Sequence, residues 1–362
     1  MSIRQRYKSL DFLRGIAVLM VMFEHYEITK LFVHIGWSGV DLFFVLSGFF
    51  ISGIIFNEYK LTNSFRPGRF LIRRGLKIWP LFYFVLLLNI VYFYFRGTPP
   101  LLKQVLAETF FIQNYIEGII YVSWSLGVEE QFYIFMALCS FVIIYYKRIK
   151  LTVPLCLFLL AVSPILRLIN YSIHPQFTLF THHFPTYFRM DALACGILIS
   201  YYFHFHPLTF IGYIKQYWHY LILGAILLSL PLLFFHISDF QMNTYGLTTT
   251  YLSYGCLLCL MISLLHNKPA EKIFSTPVIS WIVWIGYYSY SIYLFHFSFG
   301  FGVANYFRKH LPDQTPKIFF DCIYLLSNIF IGYVSSTLVE RPILRRREKW
   351  IPSPVPTEKL RA

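Results

Sequence analysis

The stretch Leu10-Asp11-Phe12-Leu13-Arg14-Gly15-Ile16-Ala17-Val18-Leu19-Met20-Val21-Met22-Phe23-Glu24-His25-Tyr26-Glu27-Ile28 decides the fold. It is apolar over most of its length and, at about 20 residues, long enough to cross the hydrocarbon core of a bilayer as one helix. Yet it carries Arg14 and His25. Ionisable side chains are costly in hydrocarbon, so they pair with one another or line a polar site. Arg14 and His25 are close to three helical turns apart, so they share one face, with His25 about 16 Å further along the axis. Three later apolar stretches repeat the pattern with Glu129, Asp191 and His296. Together the five groups predict a polar chamber built inside the membrane. The competing reading is that some of them only hold helices together.

Composition agrees. The chain is 57% hydrophobic, 20% aromatic and 13% charged, against about 25% charged residues in a soluble domain. The basic start Met1-Ser2-Ile3-Arg4-Gln5-Arg6 resembles a signal sequence. However, the apolar run behind it holds charges and lacks a small-residue cleavage site, so it reads as a retained first span. The six cysteines lie in or near apolar runs, and Cys256-x-x-Cys259 has no further ligands nearby. We expect packing there and no metal site. The net charge of +14 does not point to nucleic acid. Its basic clusters (residues 60–77, 147–150 and 341–349) fall between or after apolar runs, the positive-inside pattern of cytoplasmic segments.

The expected fold is all-α and polytopic, with about ten transmembrane helices of about 20 residues each. They cover residues 10–28, 37–56, 78–95, 123–146, 151–170, 185–203, 217–237, 247–265, 279–303 and 318–339. Both termini are then cytoplasmic. Residues 1–345 form one membrane domain, and residues 346–362 a short basic and proline-rich cytoplasmic tail. Neither an internal repeat nor a pair of broken helices of the secondary-transporter kind is evident. On this layout the acid and base groups His25, Glu129, Glu130, Asp191 and His296 gather in the outer half. Arg73, Arg74 and Lys77 gather at the cytoplasmic face. Such a chamber suits a ligand with an anionic head held inside and a reactive end reaching a histidine, which accepts a proton near neutral pH.

Seven segments carry a resemblance. They are Leu10-Asp11-Phe12-Leu13-Arg14-Gly15 with His25; Gly39-Val40-Asp41-Leu42-Phe43-Phe44-Val45-Leu46-Ser47-Gly48-Phe49; Arg73-Arg74-Gly75-Leu76-Lys77-Ile78-Trp79-Pro80; Trp124-Ser125-Leu126-Gly127-Val128-Glu129-Glu130-Gln131-Phe132-Tyr133; Arg189-Met190-Asp191-Ala192-Leu193-Ala194-Cys195-Gly196; Tyr290-Ser291-Ile292-Tyr293-Leu294-Phe295-His296; and Glu340-Arg341-Pro342. In their order they resemble the acyltransferase-3 family of integral membrane acyltransferases, over nearly the whole chain.

The resemblance implies transfer of an acyl group, usually acetyl, from acyl-CoA to a hydroxyl of a cell-surface glycan or glycolipid such as O-antigen or exopolysaccharide. It implies location in a bacterial cytoplasmic (inner) membrane. It also implies functional roles for Arg14, His25, Arg73 and Arg74. Lys77 stands where the family usually has arginine, which keeps the charge but loses the two-pronged grip on phosphate. Some relatives carry an extra hydrolase-like domain, and we expect none here. We therefore expect His25 as general base or acetyl carrier and Glu129, Glu130 or Asp191 as orienting or acceptor groups. His296 is a further candidate in the chamber, and Arg14, Arg73, Arg74 and Lys77 are expected to hold acetyl-CoA. Trp124, Tyr133 and Tyr293 are candidates to stack on sugar. The rival classes are a transporter and a glycan flippase.

Overall fold

A computed structural model describes residues 7–265 and 267–354, and every regular element among them is helical. In chain order these are α1 (Lys8–His25), α2 (Lys30–Ile35), α3 (Gly39–Thr62), α4 (Pro67–Phe95), α5 (Leu102–Thr109), α6 (Trp124–Tyr145), α7 (Thr152–Ile173), α8 (Met190–Phe205) and α9 (Pro207–Gln216). There follow α10 (Trp218–Phe234), α11 (Leu247–Ser263), α12 (Lys268–Ile273), α13 (Pro277–Tyr287), α14 (Ser289–Phe295), α15 (Phe301–His310), α16 (Lys317–Ser335) and α17 (Arg341–Trp350).

The protein is an all-α polytopic membrane protein. Among the described residues, six helices are long and apolar enough to span a bilayer, or eight if each of two bent pairs counts as one span. The two further expected spans are helical as well. Of these, α1 carries Lys8, Asp11, Arg14 and Glu24, and α8 has only 16 residues.

The bend after α13 corrects the expected unbroken span 279–303, whereas the turn between α9 and α10 falls at the start of the expected span 217–237. The chain turns by 75° between α9 and α10, and by 69° between α13 and the helical run from Ser289 to His310. An unbroken apolar run contains no mark of such a bend, so hydropathy alone misses it. The basic segment is also corrected. Residues 60–62 close α3 and residues 67–77 open α4, because Pro67 at the first helical position presets φ and the Arg, Leu and Lys that follow are good helix formers.

Helices approach closely where glycines face backbone. A Cβ on Gly48 of α3 would land in the Leu193 carbonyl of α8, and one on Gly196 of α8 in the Val45 carbonyl of α3. Gly15 of α1 and Gly286 of α13 mesh in the same way, against Ile282 and Asp11. In lipid, association depends on such contact because burial from water contributes little. The pairs α3–α8 and α1–α13 are thus the tight seams of the bundle, with α1 also against α3 and α7 against α8. Apolar side chains such as Leu87 and Tyr92 on α4, Phe158 and Ile165 on α7, and Leu223 and Ile226 on α10 point outward, as a lipid-facing surface requires.

Candidate active site

The seam between α1 and the bent α13–α14 run brings two expected residues together from opposite ends of the chain. His25 ends α1, and His296 opens a π-type turn, His296–Gly300, directly after α14. Turns of this kind occur often at functional sites. His296 Nε2 lies 3.3 Å from His25 Nδ1. Their tautomers follow from their carbonyl partners. His296 Nδ1 donates to the Tyr293 carbonyl at 2.6 Å, so its Nε2 is a bare acceptor. His25 Nδ1 donates to the Val21 carbonyl at 2.9 Å and shares its proton with His296. The basic nitrogen of His25 is therefore Nε2. The His25 side chain is 18% exposed, whereas His296 is fully buried. The carboxylate nearest His25 is Glu24, 3.8 Å from Nδ1. Glu24 lies at the end of the first apolar stretch, where nothing in the sequence sets it apart as a site residue.

Glu129 and Glu130 do not reach this pair. Tyr133 donates to Glu129 at 2.8 Å and accepts from Ser47 at 2.7 Å and from Arg74 at 3.0 Å. The Arg74 guanidinium also lies 4.7 Å above the Tyr133 ring. Glu130 accepts from the Trp79 indole at 2.9 Å. Lys77 lies within electrostatic reach of Arg14, Arg74, Glu340 and Arg347, so basic residues of α1, α4 and α17 gather around it. Arg14 itself pairs with Asp11 at 3.6 Å. Arg73 turns away from the cluster. It is buried, donates to Glu348 of α17 at 2.6 Å, and also donates to the Ile351 carbonyl. Arg347 of α17 donates to the Arg73 carbonyl at 3.1 Å.

Asp191 belongs to a third centre. It accepts from Arg167 at 2.7 Å and from Thr248 at 3.1 Å, with both charged side chains essentially unexposed. Beside it Arg189 meets Asp41 at 3.3 Å, Tyr251 at 2.6 Å and His183. Burial, and then the Arg189 charge, hold the His183 imidazole well below its ordinary pKa. Arg167, the single charged group in the apolar run 151–170, is the sequence signal for this pairing. Trp124, Tyr133 and Tyr293 are buried.

A last feature had no motif. Glu108 of α5 is fully buried and accepts from the backbone of Ile119 at 2.9 Å and Ile120 at 2.8 Å, with Ser123 Oγ 2.9 Å from its Oε2. These bonds set the chain leading to Tyr121, whose ring lies 6.3 Å from that of His25.

A helical membrane bundle with a paired histidine above a basic cluster defines a membrane-embedded site for a polar reaction. The profile of the acyltransferase-3 family, described as an acyltransferase domain, matches residues 7–337. The chain belongs to that family. It is 29% identical to a Staphylococcus aureus (strain COL) protein provisionally named an O-acetyltransferase, over 98% of this chain and 60% of that protein. It is 26% identical to the peptidoglycan O-acetyltransferase OatA of Listeria monocytogenes, over 94% of this chain and 56% of that protein. It is 24% identical to the O-acetyltransferase OatA of S. aureus (strain NCTC 8325), over 93% and 57%. The chain thus spans less than two thirds of the length of these relatives. No solved structure matches it.

Proposed function

We propose that the protein is an O-acetyltransferase of a bacterial cytoplasmic membrane, moving acetyl from acetyl-CoA to a hydroxyl of a cell-surface glycan. The observation that carries this reading is the His25–His296 pair: one imidazole partly exposed with its Nε2 free to accept a proton, the other buried and orienting it. His25 Nε2 takes the proton of the acceptor hydroxyl. The oxygen attacks the thioester carbonyl carbon, the C–S bond breaks, and the CoA thiolate receives the proton from the imidazolium. A well-placed general base of this kind contributes about 10²–10⁴-fold in rate. Arg14, Arg74 and Lys77 are the groups suited to the CoA phosphates, since cationic donors bind phosphate strongly. Arg73 instead ties α4 to α17, and Asp191 pairs with Arg167 to hold α7 and α8 together. The Listeria relative is named for peptidoglycan, and a glycan of that kind is the acceptor class proposed here.

The test is reconstitution. Purified protein in proteoliposomes is given radiolabelled acetyl-CoA and de-O-acetylated envelope glycan from its host. Base-labile label on the glycan is the expected result. The bent helix pairs favour a transporter as the second reading, and uptake of glycan without acetyl transfer would establish that instead.

A further inference from the structure

An aromatic surface stands beside the reactive histidine, and the mechanism above does not use it. Tyr121 is 51% exposed. Its ring stacks on Phe297 with centroids 5.1 Å apart and 29° between planes. The Tyr121 and Phe297 rings meet the His25 ring edge-on at 6.3 Å and 5.5 Å. Aromatics at a bilayer edge often serve only as an interfacial belt. Tyr121 differs by lying against the one imidazole of the pair that is partly exposed. Its backbone is also held unusually firmly for a connection. Gln113 donates to the Ser123 carbonyl at 2.8 Å, Gln131 donates to Phe111 and Asn114 at 2.8 Å each, and Asn114 donates to Thr186 at 3.0 Å. Phe111 takes a left-handed φ of 55° where the chain turns. Glu108 sits at the centre, receiving the N–H groups of Ile119 and Ile120, the two residues before Tyr121. A buried, multiply hydrogen-bonded carboxylate is a costly way to hold a belt residue and an effective way to fix a ligand surface.

We propose that Tyr121, backed by Phe297, is the platform on which the acceptor sugar ring lies at His25, and that Glu108 is the positioning residue that holds it there. This rests on the acetyl-transfer reading. An apolar sugar face lies on the ring while a hydroxyl at its edge reaches His25 Nε2, with the Glu24 carboxylate alongside to accept from a neighbouring hydroxyl.

The experiment uses the full chain in proteoliposomes, titrating de-O-acetylated host envelope glycan and acetyl-CoA separately. For Tyr121→Ala the acceptor KM is expected to rise about tenfold, the scale of one aromatic contact, while the KM for acetyl-CoA moves less than about twofold. Tyr121→Phe, which keeps the ring, should recover most of the acceptor KM lost in Tyr121→Ala. Glu108→Ala should reproduce the Tyr121→Ala split. Glu108→Gln, whose carbonyl still accepts from Ile119 and Ile120, should restore the acceptor KM. An unchanged acceptor KM in Tyr121→Ala overturns the platform and leaves acetyl transfer standing. A Glu108→Ala variant that raises both KM values equally overturns the positioning role. Wild-type protein that acetylates no glycan overturns the acetyl-transfer reading and the platform with it.

Discussion

At the residue scale the two histidines have unequal duties, and this gives a sharp expectation. His25→Ala removes the only group whose free nitrogen opens from the pair. It should leave the protein in the membrane at normal abundance and lower glycan acetylation by at least about 10²-fold. Label transfer near the wild-type rate would remove His25 from the chemistry. His296 acts through His25. His296→Phe should lower kcat with little change in either KM, whereas His296→Gln, which still offers an acceptor oxygen to His25 Nδ1, should lose less. Equal losses in the two variants would mean that His296 only packs. The basic residues divide in a similar way. Arg74→Ala should raise the KM for acetyl-CoA. Arg73→Ala breaks a partly buried charge-assisted bond to Glu348, so it should lower the melting temperature in detergent more than it alters the donor KM. The expected residues that the proposed mechanism uses, His25, His296, Arg14, Arg74 and Lys77, stand out in the sequence because ionisable groups in apolar runs are rare. Glu24, Tyr121 and Glu108 do not: a carboxylate at a span end, a tyrosine among many and a glutamate in a short amphipathic helix look ordinary until the chain brings them to one place.

Among the elements, the glycine seams decide which helices can carry the site. Gly48→Val would drive a side chain into the Leu193 backbone, and backbone cannot swing aside as a side chain can. Overpacking of this kind costs about 1–3 kcal/mol or more, so the detergent melting temperature should fall clearly. Gly68→Ala is the control. Nothing lies within 4 Å of a Cβ there, and alanine favours a helix, so stability should hold or rise. A harmless Gly48→Val would mean that the α3–α8 seam is looser than described. The short element α5 gives a pH expectation. Burial pushes the Glu108 carboxyl up to about 7, partly opposed by its hydrogen bonds to Ile120, Ser123 and Ile119. The folded chain therefore holds this proton more tightly than the unfolded chain, where the pKa is about 4.3. The resulting stabilisation is complete below about pH 4.3 and is lost as pH rises through about 7. Glu108→Gln should accordingly flatten the change of melting temperature between about pH 5 and 8. A slope identical to wild type would show that Glu108 does not titrate there.

For the whole molecule, the basic cluster and the histidine pair lie towards opposite ends of α1. The rise from Arg14 to His25 is about 16 Å, roughly half the hydrocarbon core. Acetyl-CoA on the side of the basic cluster should therefore acetylate glycan confined to the other side in sealed, oriented proteoliposomes. Transfer only when donor and acceptor share a side would mean that the glycan is modified before export. Sequence alone determined the class of this chain. Long apolar runs admit no fold in hydrocarbon but helices that satisfy their own backbone, and the order of its motifs carried the family. Sequence also determined that Arg14 and His25 share a face, because helical periodicity is local. Only the tertiary structure decided which charges meet. It paired His25 with His296 across the bend before α14, joined Glu129 and Arg74 through the Tyr133 hydroxyl, gave Asp191 to Arg167, and turned Arg73 towards α17. Those pairings depend on how closely glycine-lined helices approach and where two helix pairs bend. Such packing between distant segments leaves no periodic trace in the chain.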